Sequence, residues 1–177
     1  DYYASRGLGD VYKRQALDVD GTLTDGKLYM DDRDNAFKAF NVKDGFAIAQ
    51  WIKYGGIAAI ITGKTSNIVT RRKEELGIQE LVQGAKNKVQ ELNKIIEKYN
   101  ISLDEVAYVG DDINDLGIMS IVGFSACPHD AVDEVIKRAD FVSKYNGGNG
   151  AVREIFEKIM KHNGMWEKVL NRYLNEK

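Results

Sequence analysis

Leu17-Asp18-Val19-Asp20-Gly21-Thr22-Leu23-Thr24-Asp25-Gly26 decides how this chain is read. A short apolar approach meets a Gly-Thr turn, and two carboxylates, Asp18 and Asp20, sit two residues apart at the junction. Residues i and i+2 of an extended strand face the same side, so both acids can address one site where the strand ends. Two carboxylates that close repel unless a cation or a proton stands between them. The plain alternative is a turn that happens to be Asp-rich. A calcium loop is another, and it fails. Such a loop needs Gly at its sixth position and Glu at its twelfth, where counting from Asp18 gives Leu23 and Tyr29.

The surrounding 177 residues suit one domain with a full-sized core, expected over 16–177. The formal net charge of −2 gives no polyanion-binding surface, so no nucleic-acid partner is expected. A single cysteine, Cys127, rules out an internal disulfide and points to a reducing, cytoplasmic setting. No apolar run approaches the ~20 residues of a membrane span, and no signal-peptide pattern opens the chain. Residues 1–15 stand apart: they are polar, basic and without period. A strand buried on both faces should read as Val, Ile and Leu, yet Lys13, Arg14 and Gln15 lead into Asp18. The segment is read as a non-native leader, which predicts a shortened and mispatterned first strand.

Outward from the motif, strand and helix patterns alternate. Residues 27–31 and 35–41 predict a β-hairpin flap (about 26–41) with a polar tip at Asp31 to Asp34. A helical pattern runs from Asp44 to Gly55-Gly56, and Ile57 to Ile61 is a continuous apolar run expected of a buried parallel strand. Further strands are expected at 80–82, 106–109, 123–126 and 141–142, with helices from Ser66 to Gly77, 86–99, 131–138 and 151–162. An amphipathic tail over about 164–177 carries Trp166, Leu170 and Leu174. This alternation predicts an α/β fold, an open parallel sheet with helices on both faces. Ligands of such sheets bind outside the carboxyl ends of the strands. Asp18 and Asp20, Thr62, Lys88 near a helix start, and Asp111 to Asp115 all fall there.

Asp-x-Asp-Gly-Thr after a strand resembles the first motif of the haloacid dehalogenase superfamily, mostly phosphatases. The order Asp-x-Asp, Thr, Lys, Asp-Asp matches that superfamily's four motifs. A response-regulator receiver uses similar residues in a different order and lacks a distal Gly-Asp-Asp-x-x-Asp. The resemblance implies a covalent aspartyl-phosphate route, with Asp18 as nucleophile and Asp20 as acid, then base. Thr62 would offer a hydroxyl and nearby amides to the phosphoryl oxygens. Mg²⁺ takes octahedral oxygen ligands, and Asp18, Asp111 and the Asp20 backbone carbonyl supply three, with Asp112 or Asp115 acting through water. A cation in a helix's first turn opposes the macrodipole. Lys86 is read as solvated, and Lys88 as turned toward the phosphate. Helix capping explains one Asp in Asp111 to Asp115, not three. Cys127 and His129 belong to no ligand cluster and read as structural.

The match is closer than superfamily level. Asp18 to Gly26, Phe40-Asn-Val-Lys-Asp-Gly45, Ile61-Thr-Gly-Lys64, Gln83 to Lys88, Val106 to Asp112 and Gly147 to Glu154 together resemble the 3-deoxy-D-manno-octulosonate (KDO) 8-phosphate phosphatases. The resemblance runs from about Leu17 to Ile159. It implies a Mg²⁺-dependent phosphatase of lipopolysaccharide sugar synthesis, without a cap domain, usually a homotetramer whose flap helps close a neighbour's site. It also implies that Asn41, Val42, Lys43, Asp44, Gly45, Gly63, Lys64, Arg72, Asp20 and Lys88 line the substrate site. Lys43, Lys64, Ala49 and Asn149 stand where Arg is usual, and Lys is a point charge rather than a bidentate fork. A phosphatase of nine-carbon sialic-type acids shares the motifs but carries an acid where Lys64 stands. A non-catalytic assembly module of a sialic-acid activating enzyme is a third reading, one expected to lose parts of the constellation.

Overall fold

The computed structural model describes residues 13–33 and 35–175. The leader's first twelve residues and Asp34 at the hairpin tip lie outside the described residues. In chain order the strands are β1 (Arg14–Leu17), β2 (Tyr29–Met30), β3 (Ala36–Phe37), β4 (Ile57–Ile61), β5 (Glu80–Val82), β6 (Val106–Val109), β7 (Phe124–Cys127) and β8 (Phe141–Val142). The helices are α1 (Val42–Lys53), α2 (Asn67–Leu76), α3 (Lys88–Tyr99), α4 (Leu116–Met119), α5 (Asp133–Ile136), α6 (Ala151–His162) and α7 (Trp166–Asn175).

Six strands form one parallel sheet in the order β5-β4-β1-β6-β7-β8. Among the described residues the first strand, β1, is central; the sheet builds outward through β4 and β5, then returns to β6 on the other side of β1. That reversal makes the crevice at the carboxyl ends of β1, β4 and β6 the place for a ligand. Alternate residues face opposite helical layers. Leu17, Ala58, Ile60, Ala107 and Val109 pack under α1 and α6 with Ile48, Trp51, Ile155, Phe156 and Ile159. Ala16, Ala59, Ile61, Tyr108 and Cys127 pack on the other face with Leu92 and Ile95 of α3 and with Ile118 and Val135.

β1 begins at Arg14, so Arg14 and Gln15 of the segment read as a leader stand in the central strand, as expected from their place before Asp18. Its mispatterning is visible in the structure. Gln15 is 1 % exposed, and neither its amide nitrogen nor its oxygen has a partner. The hairpin forms, but each strand is two residues long, pairing Tyr29 with Phe37 and Met30 with Ala36. Trp166 of the tail is buried against its own domain, while Tyr173 packs on Phe46 and receives a hydrogen bond from Gln50. Leu170 and Leu174 of the same helix stay exposed, at 38 % and 78 %. Among the described residues no helix is long and apolar enough to cross a membrane.

Candidate active site

The loop after β1 is shaped by two close approaches. Gly21 has φ +91°, and a Cβ there would stand 1.9 Å from Asp111 Oδ2. A Cβ on Gly147 would lie 1.8 Å from the Gly21 carbonyl oxygen. Only glycine permits this backbone at both places, so the loop before α6 seats directly on the Asp18–Asp25 turn. Thr22 is buried and donates its hydroxyl to Asp111 Oδ1 at 3.0 Å, tying the end of β1 to the end of β6.

Lys88 is the hub. As the first residue of α3 it is 6 % exposed, and its Nζ lies 2.8 Å from Asp18 Oδ1 and 2.6 Å from Asp115 Oδ1. Tyr108 donates to the same Asp115 oxygen at 2.6 Å. Asp115 Oδ2 accepts from the backbone N–H groups of Asp111 and Asp112. Both Asp115 oxygens are thus bonded, and buried charge is matched as it must be.

Carboxylate oxygens of Asp18, Asp111 and Asp115 lie within 4.8 Å of one another. Burial, then the Asp115 charge, pushes Asp18 up to about 6 against the pull of Lys88. Burial, then the Asp18 charge, pushes Asp111 up to about 7. Burial works against the Lys88 charge, but Asp18 and Asp115 outweigh it and raise its pKa. A set of hard oxygen donors strained by mutual repulsion fits a divalent cation such as Mg²⁺. Asp18 and Asp111 have an oxygen to offer it. Asp115, counted in the cluster by distance, orients its neighbours through bonds already made.

The rest of the sequence-predicted set divides. Asp20 is partly buried, beside rather than within the three-acid cluster, with Lys38 ion-paired to its Oδ1 and Lys64 Nζ 3.9 Å from its Oδ2. Thr62 is buried at the end of β4, and its hydroxyl accepts from the Lys64 N–H at 3.4 Å. Gly63 and Lys64 are exposed there. Asp112 is exposed, and its Oδ1 accepts from the Ile113 N–H at the start of its own turn. Asn41 caps α1 with its side chain, and Val42 and Lys43 are exposed on the first turn.

Asp44 is 1 % exposed; its Oδ1 accepts from the Arg153 N–H at 2.7 Å, joining the start of α1 to the start of α6, and its Oδ2 is buried without a hydrogen-bond partner. Arg72 is held by Glu75, by the Asn41 carbonyl and over the Phe40 ring. Gly45 leaves room for that guanidinium, 2.3 Å from where its Cβ would be. Sequence reasoning missed Thr22, Tyr108 and Lys38. Thr22 was legible in the Asp-Gly-Thr motif; Tyr108 sat inside an apolar run and Lys38 in a hairpin, where no periodicity marks a site residue.

Residues 52–155 match the haloacid dehalogenase-like hydrolase family. The chain is 43 % identical over 148 residues to the 3-deoxy-D-manno-octulosonate 8-phosphate phosphatase of Escherichia coli strain K12, covering 84 % of this chain and 79 % of the relative. It is similar to the crystal structure of a probable YrbI family phosphatase from Pseudomonas syringae, with TM-score 0.94 and 36 % identity over 97 % and 98 % of the two chains. It is also similar to the Moraxella catarrhalis 3-deoxy-D-manno-octulosonate 8-phosphate phosphatase solved with magnesium, phosphate and KDO, with TM-score 0.90 and 34 % identity over 97 % of each chain.

Proposed function

The chain belongs to the haloacid dehalogenase-like hydrolases and is a phosphatase, and from that premise we propose that it hydrolyses 3-deoxy-D-manno-octulosonate 8-phosphate through an aspartyl-phosphate on Asp18. The observation that carries this reading is the Lys88 ammonium bridging Asp18 and Asp115, with Asp111 beside them at the strand ends. Lys88 orients the Asp18 carboxylate through Oδ1, and one Asp18 oxygen attacks phosphorus while the other faces the cation site. As that bond forms, the bond from phosphorus to the sugar oxygen breaks, and Asp20 gives the departing oxygen its proton. Asp20 then takes a proton from water, whose oxygen attacks phosphorus and releases Asp18 and inorganic phosphate. Thr62 and the N–H groups beyond β4 offer donors to the phosphoryl oxygens. Mg²⁺ held by Asp18, Asp111 and the Asp20 carbonyl would neutralise phosphoryl charge. Lys43 and Lys64 are exposed cations suited to the sugar acid's carboxylate. A cytoplasmic homotetramer, with each flap over a neighbour's site, completes the proposal.

Phosphate release from KDO 8-phosphate, a nine-carbon sugar-acid 9-phosphate and a small aryl phosphate, each with Mg²⁺ or chelator, tests it. The eight-carbon substrate should turn over fastest, chelator should stop it, and Asp18→Asn should abolish turnover with an unchanged circular dichroism spectrum. Faster turnover of the nine-carbon compound would reassign the substrate. Wild-type-like activity in Asp18→Asn would overturn the mechanism.

A further inference from the structure

Asp20 has two side-chain partners among the described residues, and they differ in kind. Lys38 pairs with Oδ1 from a side chain 15 % exposed; Lys64 stands 3.9 Å from Oδ2 with its side chain 62 % exposed. The first is a charge-assisted bond shielded from solvent. The second is a solvent-screened contact with little orienting power. Lys38 directly follows β3, and the other strand of that hairpin is anchored by Tyr29, whose hydroxyl donates to Asp25 Oδ2 at 2.6 Å. The foot of the flap is therefore tied to the Asp18–Asp25 loop at two points, and one of them is the carboxylate that must meet the leaving oxygen.

Proton transfer needs that carboxylate within about 2.6–3.2 Å of the reacting oxygen. A misplacement of ~1 Å costs on the order of 10²-fold. We propose that Lys38 is a positioning residue for Asp20, so that seating of the flap sets up protonation of the leaving group. This rests on the reading of Asp20 as the acid given above. Lys38 touches no reacting atom; it fixes which Asp20 oxygen is held and which is presented.

The test uses kcat/KM, which reports steps up to departure of the leaving group, for para-nitrophenyl phosphate and phenyl phosphate. A good leaving group needs little protonation and a poor one needs much. Asp20→Asn should lose far more on phenyl phosphate than on para-nitrophenyl phosphate. Lys38→Met should show the same skew, losing roughly 10- to 100-fold on phenyl phosphate, no more than the ~10²–10⁴ that the general acid itself supplies. Lys38→Arg should recover most of that loss, and Lys38→Met should add nothing in an Asp20→Asn background. Light scattering and circular dichroism establish that the variants keep the wild-type assembly and fold. An equal loss on both substrates in Lys38→Met, with Asp20→Asn still skewed, overturns the positioning role alone. No skew in Asp20→Asn removes the acid itself and the proposal with it.

Discussion

Gln15 sits on the central strand between Ala58 and Ala107, on the face covered by α1 and α6. Its amide is buried with no hydrogen-bond partner. An unsatisfied buried polar group costs about 1–3 kcal/mol, and a β-branched residue suits a strand there better. Gln15→Val should therefore stabilise the protein by about 1–3 kcal/mol, at roughly 2–4 °C of Tm per kcal/mol. An unchanged or lower Tm by calorimetry would mean the amide finds partners in solution. The same scale shows what a sequence can announce about a site. Asp18, Lys88 and Asp111 could be seen because their charges interrupt apolar or helical patterns at strand ends. Tyr108 could not, because a tyrosine within Val106 to Val109 reads as core until its hydroxyl is found on Asp115. Asp44 shows what a sequence leaves out: an acid at a helix start looks exposed, and here it is buried with Oδ1 bonded to the Arg153 N–H.

At the scale of elements, the flap has more apolar surface than it can cover. Leu28, Met30 and Phe37 are 67 %, 71 % and 59 % exposed, on a ribbon of two residue pairs. An isolated two-stranded hairpin is marginal in water, and clustered exposed apolar side chains mark contact surfaces. Replacing Tyr29 and Phe37 with Glu should dissociate the proposed oligomer and lower activity together, as read by light scattering and phosphate release. A fully active wild-type monomer at assay concentration would remove the composite site. The parallel strands were legible because Ile57 to Ile61 and Val106 to Val109 are continuous apolar runs between turn signals. The hairpin's short strands and the packing of α7 were not. Two-residue strands leave no period to read, and an amphipathic stripe does not say whether its own chain or another covers it.

For the whole molecule, buried carboxyls couple stability to pH, and those of the acid cluster couple it to cation as well. Asp18 and Asp44 are raised from 3.8 to about 6 and Asp111 to about 7, in each case mainly by burial. A carboxyl with a higher pKa folded than unfolded holds its proton more tightly in the folded state. Its contribution is therefore present at low pH and drains as pH rises from about 4 to about 7. Without divalent cation, Tm should fall between about pH 5 and about pH 8. Mg²⁺ should stabilise the fold by up to about 2.7 kcal/mol at a hundredfold excess over Kd, read as a larger rise in Tm at the higher pH. An equal Mg²⁺ shift at both pH values would separate the cation from these carboxyls. The position of β1 has a consequence of another kind. Arg14 pairs with Ile57 on one side and with Val106, far along the chain, on the other. On the ribosome this strand emerges before either neighbour, and it waits with both edges open. Long-range parallel pairing is slow to form, and open edges invite association. Asp18 and Asp111 remain apart through that interval. During synthesis, the affinity for metal and the closing of the sheet arrive in one event, when β6 docks against β1.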